Sequence, residues 1–287
     1  MKLLMEIIRE AESSGVAVGH FNISDISALK GIFEASREFN FPVIIGLSDG
    51  ERKFIGAKQA AALVKSLREQ YDFPIFINAD HAKSLEAAKE AAEAGFDAVM
   101  FDAGNLPIEE NIRKTKEAVE AVKSASEKIL VEGEIGYIAG SSSIINSSGL
   151  EIKEENLVKP DEAEKFVKET GVDLLAPAVG NVHGIFKDAP MPNLNIERIK
   201  EIKSKIAVPL VLHGGSGIEE PDLKSAVSAG MSVVHVNTEL RLAWRKAIWE
   251  SLSANPEEIA PYKILPDVVS AIKKAVENKL KLFNGIK

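Results

Sequence analysis

Short apolar runs recur along the chain, separated by stretches long enough for one helix each. Runs such as Val43–Ser48 and Pro209–His213 lack polar alternation, which is typical of strands in a parallel sheet covered by helices. The repeating unit is therefore a strand followed by a helix. We predict eight strands: Val16–Asn22, Val43–Ser48, Ile75–Asp80, Ala98–Asp102, Leu130–Gly136, Asp173–Val179, Pro209–His213 and Ser232–Thr238.

The stretches between these runs carry the start and stop signals of helices. Ser84 is a good N-cap for Leu85–Ala94, and Gly95 a good stop. Beyond the last strand, Glu239–Ser253 and Leu265–Phe283 have the apolar spacing of amphipathic helices. With 287 residues, the pattern predicts an α/β fold, a (β/α)8 TIM barrel with additional C-terminal helices.

The chain shows no linker-like tract, so we expect residues 1–287 to form a single domain. One connection is unusual: the segment from Tyr137 to Pro160 is long and rich in Ser and Gly. Such loops often act as lids, although a surface loop without a catalytic part is the alternative.

Composition narrows the function classes. The formal net charge is -8 and no basic tract is present, so we expect no nucleic-acid partner. The chain has no cysteine, which excludes a disulfide, a thiolate nucleophile and a Cys-ligated metal. The first ten residues carry charges at helical spacing, unlike a signal peptide. We therefore expect a cytoplasmic protein that does not bind membranes.

The active site of a (β/α)8 barrel lies at the carboxyl ends of its strands. All five histidines lie in or just after a predicted strand. His81, His183 and His213 are each followed by Gly or Ala, and three neutral imidazoles with an open position suit a catalytic Zn²⁺. Asp80 should point away from His81 and serve as a nearby acid or base. For His20 and His235 we favour the role of hydrogen-bonded barrel histidines.

A phosphate would need donors at the same end of the barrel. Backbone N–H groups at glycines, a lysine ammonium and a strand-to-helix turn supply them after strands six, seven and eight. None of the eight runs contains a lysine suited to a Schiff base. The candidate phosphate contacts are Gly184, Lys187, Gly214, Ser216, Asn237 and Thr238.

Together these residues resemble the class II, metal-dependent ketose-bisphosphate aldolases over essentially the whole chain. The strongest motif is Gly-Asn-Val-His-Gly with a lysine, followed by His-Gly-Gly-Ser-Gly. The motifs span residues 19–22, 47–50, 78–81, 101–102, 110–112, 131–136, 180–187 and 213–217.

The resemblance implies a role for each matching residue. His81, His183 and His213 would bind Zn²⁺, with Co²⁺, Mn²⁺ or Fe²⁺ as replacements, and Asp80 would be the acid/base at the C4 oxygen. Asp102 and Glu134 would bind a second or displaced metal ion. Asn22 and Ser48 match substrate contacts, and the six phosphate candidates match a phosphate and monovalent-cation site. The resemblance also implies a homodimer or larger homo-oligomer.

The implied reaction is reversible cleavage of a ketose 1,6-bisphosphate, with fructose 1,6-bisphosphate favoured. The products are dihydroxyacetone phosphate and glyceraldehyde 3-phosphate, formed through a zinc-stabilised enediolate. Tagatose 1,6-bisphosphate as substrate and a non-catalytic sugar-phosphate-binding relative are the alternatives. A metal-dependent epimerase or hydrolase is disfavoured because no His-x-His pair ends the first strand and we expect no second histidine cluster for a hydrolytic two-metal site.

The sequence departs from the family pattern at three positions. The family's proton-abstracting glutamate falls on Ser142, its strand-eight asparagine on His235, and the glycine after its strand-three histidine on Ala82. The identity of the residue that abstracts the proton from C3 is therefore open. We favour the long loop, with Glu151 before Glu154 and Glu155, and keep His20 and His235 as fixed alternatives.

Overall fold

The computed structural model describes residues 2–147 and 152–286. Strands and helices alternate through most of the chain. The strands are β1 (Val18–Asn22), β2 (Val43–Leu47), β3 (Ile75–Ala82), β4 (Ala98–Phe101), β5 (Leu130–Ile135), β6 (Gly140–Ile145), β7 (Leu174–Pro177), β8 (His183–Phe186), β9 (Leu210–Leu212) and β10 (Met231–Val236). The helices are α1 (Leu4–Ser13), α2 (Ile26–Phe39), α3 (Asp49–Ile55), α4 (Ala57–Tyr71), α5 (Leu85–Glu93), α6 (Ile108–Ala125), α7 (Pro160–Thr170), α8 (Ile196–Lys205), α9 (Glu220–Ser228), α10 (Thr238–Ala254), α11 (Pro261–Ile264) and α12 (Pro266–Phe283), with a 3₁₀ turn at Glu154–Asn156.

Eight strands close into a parallel barrel in the order β1-β10-β9-β7-β5-β4-β3-β2. The predicted (β/α)8 barrel with additional C-terminal helices is confirmed. Each predicted run overlaps one barrel strand, with ends that differ by one or two residues. Ser84 caps α5 as predicted, because its side chain accepts a hydrogen bond from the Ala87 N–H.

Two strands were not predicted. One of them, β6, lies in the long Ser-rich connection. It pairs in parallel with the other, β8, to form a separate two-stranded sheet above the barrel. Neither stretch has the long apolar run that marks a barrel strand. Strand β6 is largely exposed. The pairing places Gly140 beside His183, so the connection lies against the carboxyl end of the barrel.

Helix α1 closes the opposite end of the barrel. Its apolar stripe, Leu4, Ile7, Ile8 and Ala11, is buried. The stripe packs against side chains from the amino-terminal halves of the barrel strands, among them Val18, Ile44, Phe76, Leu130 and Val211. Because this end is filled with apolar groups, the polar interior opens only at the carboxyl end of the strands.

Helix α12 packs closely on α2. A Cβ added to Gly31 would lie 2.7 Å from the Val269 carbonyl oxygen and 2.9 Å from Ile272 Cβ. None of the helices in the part of the chain that the structure describes is long and apolar enough to cross a membrane.

We expect Gly31→Ala to destabilise the protein by about 1–3 kcal/mol, because the added methyl group has to push α12 away from α2. Chemical denaturation monitored by circular dichroism measures this change. Gly50→Ala is the matched control, since a Cβ there meets nothing within 4 Å. A loss at Gly50→Ala equal to that at Gly31→Ala would contradict the packing argument.

Candidate active site

Three histidines and a carboxylate converge at the carboxyl end of the barrel. One potential ligand atom from each of His81, Glu134, His183 and His213 lies within 4.8 Å of the others. The His81 ring lies 5.0 Å from the rings of both His183 and His213, centroid to centroid. The structure thus brings the three predicted metal-binding histidines together, and it adds Glu134 to the same group.

Each of the three histidines has one ring nitrogen held by a partner. The Nδ1 atom of His81 lies 2.9 Å from Asp102 Oδ2, and the Nδ1 atom of His183 lies 3.3 Å from the Ile138 carbonyl oxygen. His213 uses Nε2, which lies 2.6 Å from Glu132 Oε1. The other nitrogens of His183 and His213 are buried with no hydrogen-bond partner among the described residues. These contacts aim the remaining nitrogen of each ring at the centre of the cluster.

Burial and neighbouring charges set the protonation of these rings. Burial, with the nearby His81, lowers the pKa of His183 and of His213 to about 3, so both rings are neutral. Burial opposes the charge on His81 as well, but Asp80, Asp102 and Glu134 outweigh it and raise its pKa to about 10. Burial raises the pKa of Glu134 well above its usual range. Without another cation, one protonated ring balances the carboxylates of the cluster.

Asp80 is closer to the histidine cluster than strand alternation predicts. Its Oδ1 atom lies 3.8 Å from His81 Nε2, and both side chains line the same cavity. His81 has a φ of 52°, which breaks the regular strand and turns its side chain towards that of Asp80. The expectation that the two side chains point apart was wrong for this reason. Asp80 Oδ2 accepts a hydrogen bond from Asn22 Nδ2 at 2.9 Å.

A second histidine cluster lies beneath the first, contrary to the sequence-based expectation. His20 and His235 occupy matching positions on β1 and β10, and their rings stack at 3.5 Å between centroids. His235 also stacks on His213 at 4.2 Å, and its Nδ1 atom lies 3.4 Å from Asp80 Oδ1. Asn78 Nδ2 lies 3.1 Å from His20 Nε2. Parallel pairing of strands that are distant in sequence produced this cluster, which spacing alone did not reveal.

A cavity of about 670 Å³ opens above the histidines. Its wall combines the carboxylates of Asp49, Asp80, Asp102 and Glu134 with three cationic side chains, Lys83, Lys114 and Arg241. None of the three cationic residues was among the predicted site residues. A usable signal existed for two of them: Lys83 follows the Asp80-His81 pair at the end of a predicted strand, and Arg241 lies one helical turn after Asn237. The cavity therefore suits an anionic ligand beside a metal centre.

Of the six predicted phosphate contacts, Asn237 is the one that lines this cavity among the residues described. Gly184 is covered by β6, because a Cβ there would lie 2.5 Å from the Ser141 carbonyl oxygen. The Ser216 hydroxyl accepts hydrogen bonds from the backbone of Asn237 and Glu239. The remaining three are Lys187, which is exposed, Gly214, which is half-buried, and Thr238, which is buried.

The other predicted site residues differ in their distance from this cavity. Ser48 lines the cavity, whereas Asn22 is buried beneath it. Glu151 lies outside the described residues. Glu154 pairs with Arg198, and Glu155 lines a different cavity.

The chain matches the family model described as fructose-bisphosphate aldolase class-II over residues 2–286. It is 37% identical to a fructose-bisphosphate aldolase from Staphylococcus aureus (strain Mu50), with 98% of this chain and 96% of that protein covered. A fructose-bisphosphate aldolase from Geobacillus stearothermophilus is also 37% identical, with the same coverage.

The fold of this chain is also similar to those of solved aldolase structures. The YdjI aldolase from Escherichia coli K12 superposes with a TM-score of 0.81 at 30% identity, covering 98% of this chain and 96% of that one. A fructose-bisphosphate aldolase from Campylobacter jejuni has a TM-score of 0.81 at 24% identity, covering 99% and 94%, and so shows the shared fold.

Proposed function

Because the chain belongs to the class II fructose-bisphosphate aldolase family, we propose that its histidine cluster is the metal centre for cleavage of fructose 1,6-bisphosphate. The protein is an aldolase, an aldehyde-lyase of carbohydrate metabolism, and its family is metal-dependent. The observation that carries the proposal is the convergence of three anchored imidazoles on one point at the floor of a cavity whose wall includes three cationic side chains.

The donor set fits a zinc ion. His183 Nε2, His213 Nδ1 and Glu134 Oε2 are buried and lack hydrogen-bond partners among the described residues, which is costly unless a cation binds there. Three nitrogens with a nearby carboxylate match Zn²⁺, although Co²⁺, Mn²⁺ and Fe²⁺ accept the same ligands. We assign His81, His183 and His213 as ligands, with Glu134 and Asp102 available to a displaced or second ion. When bound, the metal ion polarises the substrate ketone and stabilises negative charge on its oxygen.

Asp80 is proposed to move the proton of the C4 hydroxyl. Burial raises the pKa of its carboxyl group, but His81 and His235 outweigh burial and hold it well below the usual range. The ionised carboxylate accepts the C4 hydroxyl proton as the C3–C4 bond breaks, which leaves glyceraldehyde 3-phosphate. The bonding electrons stay with the three-carbon fragment, which becomes dihydroxyacetone phosphate when C3 takes up a proton. In the synthetic direction Asp80 returns its proton to the C4 oxygen.

The substrate phosphates are proposed to bind at the ends of the last three barrel strands. Gly214, Ser216, Asn237 and Thr238 follow the paired strands β9 and β10, and Gly214 lies against the backbone of Val182, two residues before Gly184. The Lys187 ammonium and a monovalent cation would complete the charge balance. Movement of β6 away from Gly184 would expose the Gly184 backbone. Ser48, on the cavity wall, and Asn22 remain the proposed substrate contacts.

We also propose that residues 1–287 act as one domain in a cytoplasmic homodimer or larger homo-oligomer. Large exposed apolar side chains on α10 and α11, namely Trp249 and Tyr262, support self-association.

Metal-replete protein is expected to cleave fructose 1,6-bisphosphate faster than tagatose 1,6-bisphosphate in an assay coupled to triose-phosphate formation. A chelator should abolish turnover, and added Zn²⁺ or Co²⁺ should restore it. Borohydride in the presence of substrate should trap no adduct. A lysine adduct seen by mass spectrometry, or undiminished turnover after metal removal, would contradict the mechanism.

His213→Ala should abolish zinc binding, because the substitution removes one of the three proposed ligands. The barrel should remain folded. Elemental analysis of the purified protein gives the zinc content. The control is His20→Asn, another buried histidine outside the proposed ligand set, which should keep its zinc. Stoichiometric zinc in His213→Ala would refute the three-histidine assignment.

Asp80→Asn should retain zinc but reduce kcat for cleavage by roughly 10²- to 10⁴-fold, the usual contribution of a positioned acid/base. Steady-state kinetics with a parallel zinc measurement checks this. A kcat near that of the wild type would show that another group, and not Asp80, transfers this proton.

A further inference from the structure

A buried carboxylate, Glu51, lies beside the active site without lining its cavity. Glu51 is 5% exposed and sits in the first turn of α3. Its Oε2 atom accepts hydrogen bonds from the Ser48 N–H at 2.7 Å and from Asn22 Nδ2 at 3.0 Å. Its Oε1 atom accepts from Ser24 Oγ at 3.3 Å and from Arg241 Nη2 at 2.7 Å. Four donors from three parts of the chain therefore meet at this one side chain.

The Asn22 amide connects Glu51 to Asp80. Its nitrogen donates to Glu51 Oε2 and to Asp80 Oδ2, which uses both protons of the amide group. The other oxygen of Asp80, Oδ1, has no hydrogen-bond partner among the described residues and lies 3.4 Å from His235 Nδ1. The Asn22 contact thus determines which oxygen of Asp80 is left for chemistry.

Arg241 extends the same chain of contacts to the cavity wall. Its side chain is 43% exposed, and Nη1 donates to the Ser142 carbonyl oxygen at 2.8 Å. Ser142 belongs to β6 and lines the cavity. Hydrogen bonds therefore run without a gap from β6 through Arg241, Glu51 and Asn22 to Asp80.

We propose that Glu51 is a positioning residue for carbon–carbon cleavage: it holds Asn22, which orients Asp80, and Arg241 ties this arrangement to β6. The proposal rests on the acid/base role assigned to Asp80 above. Glu51 can act only as an acceptor for Asn22, whereas a glutamine would also present an NH₂ group to an amide that needs two acceptors. Asn22 would then turn and release Asp80. Misplacing an acid/base by about 1 Å costs roughly 100-fold in rate.

The test compares two reactions that use Asp80 differently. Cleavage of fructose 1,6-bisphosphate requires proton transfer at the C4 oxygen, whereas exchange of the C3 proton of dihydroxyacetone phosphate with deuterated water does not. Glu51→Gln in the zinc-loaded protein should lower kcat for cleavage by roughly 10- to 100-fold. The exchange rate, followed by NMR, should stay at the wild-type value, which a general loss of structure would not allow.

A double-mutant cycle tests the route through Asp80. If Glu51 acts by orienting Asp80, adding Glu51→Gln to Asp80→Asn should cause no further loss of cleavage. Losses that multiply in the double variant would overturn the proposal, as would an equal loss of both reactions in Glu51→Gln. An unimpaired Asp80→Asn variant would instead overturn the acid/base assignment itself, so the two failures are distinguishable.

Two further variants complete the design. Glu69→Gln makes the same chemical change on α4, but the Glu69 side chain is 66% exposed and its Oε1 atom lies 3.8 Å from Lys65 Nζ, so cleavage should proceed at the wild-type rate. Arg241→Met changes a half-exposed residue and should reproduce the selective loss of cleavage in weaker form, which keeps the test available should Glu51→Gln not fold. Wild-type cleavage by a folded Glu51→Gln protein, or a loss in Glu69→Gln as large as that in Glu51→Gln, would refute the proposal.

Discussion

The site depends on one repeated interaction: each histidine of the cluster has one ring nitrogen held by a fixed acceptor. Asp102, Glu132 and the Ile138 carbonyl oxygen serve the three rings in turn. A buried imidazole with one anchored nitrogen has one tautomer and one orientation, so its other nitrogen points in a defined direction. Because the three acceptors come from different strands and connections, only the closed barrel aims all three lone pairs at one point.

This arrangement places several carboxylates out of contact with water. Burial raises the pKa of Glu132 to about 8, with Asp80 adding to the effect, and burial raises the pKa of Glu134 well above its usual range. The apolar plug formed by α1 beneath the strands keeps water from entering from that side. A divalent cation at the cluster would relieve the repulsion among these carboxylates and replace the proton on His81. The same electrostatics therefore favour metal binding at the cluster.

Above the cluster, the Ser-rich connection combines two tasks. Its strand β6 covers Gly184, and its Ser142 carbonyl oxygen accepts a hydrogen bond from Arg241. Any movement of β6 that exposed Gly184 would also break the contact through which Arg241 and Glu51 reach Asp80. Strand β6 thus contacts both the proposed phosphate site, at Gly184, and the hydrogen-bonded residues that hold the proposed acid/base, at Arg241.

The sequence by itself determined the barrel, because buried strands and amphipathic helices leave local patterns of apolar residues that need no knowledge of distant contacts. It also singled out His81, His183 and His213, since a histidine at a strand end followed by Gly or Ala is visible locally. The tertiary structure alone decided the rest. The stack of His20 on His235 depends on the pairing of the first barrel strand with the last, and the alignment of Asp80 with His81 depends on a positive φ that no pattern announces. The contacts of Glu51 join residues up to 190 positions apart, and such neighbours are set by barrel closure, which sequence spacing does not encode.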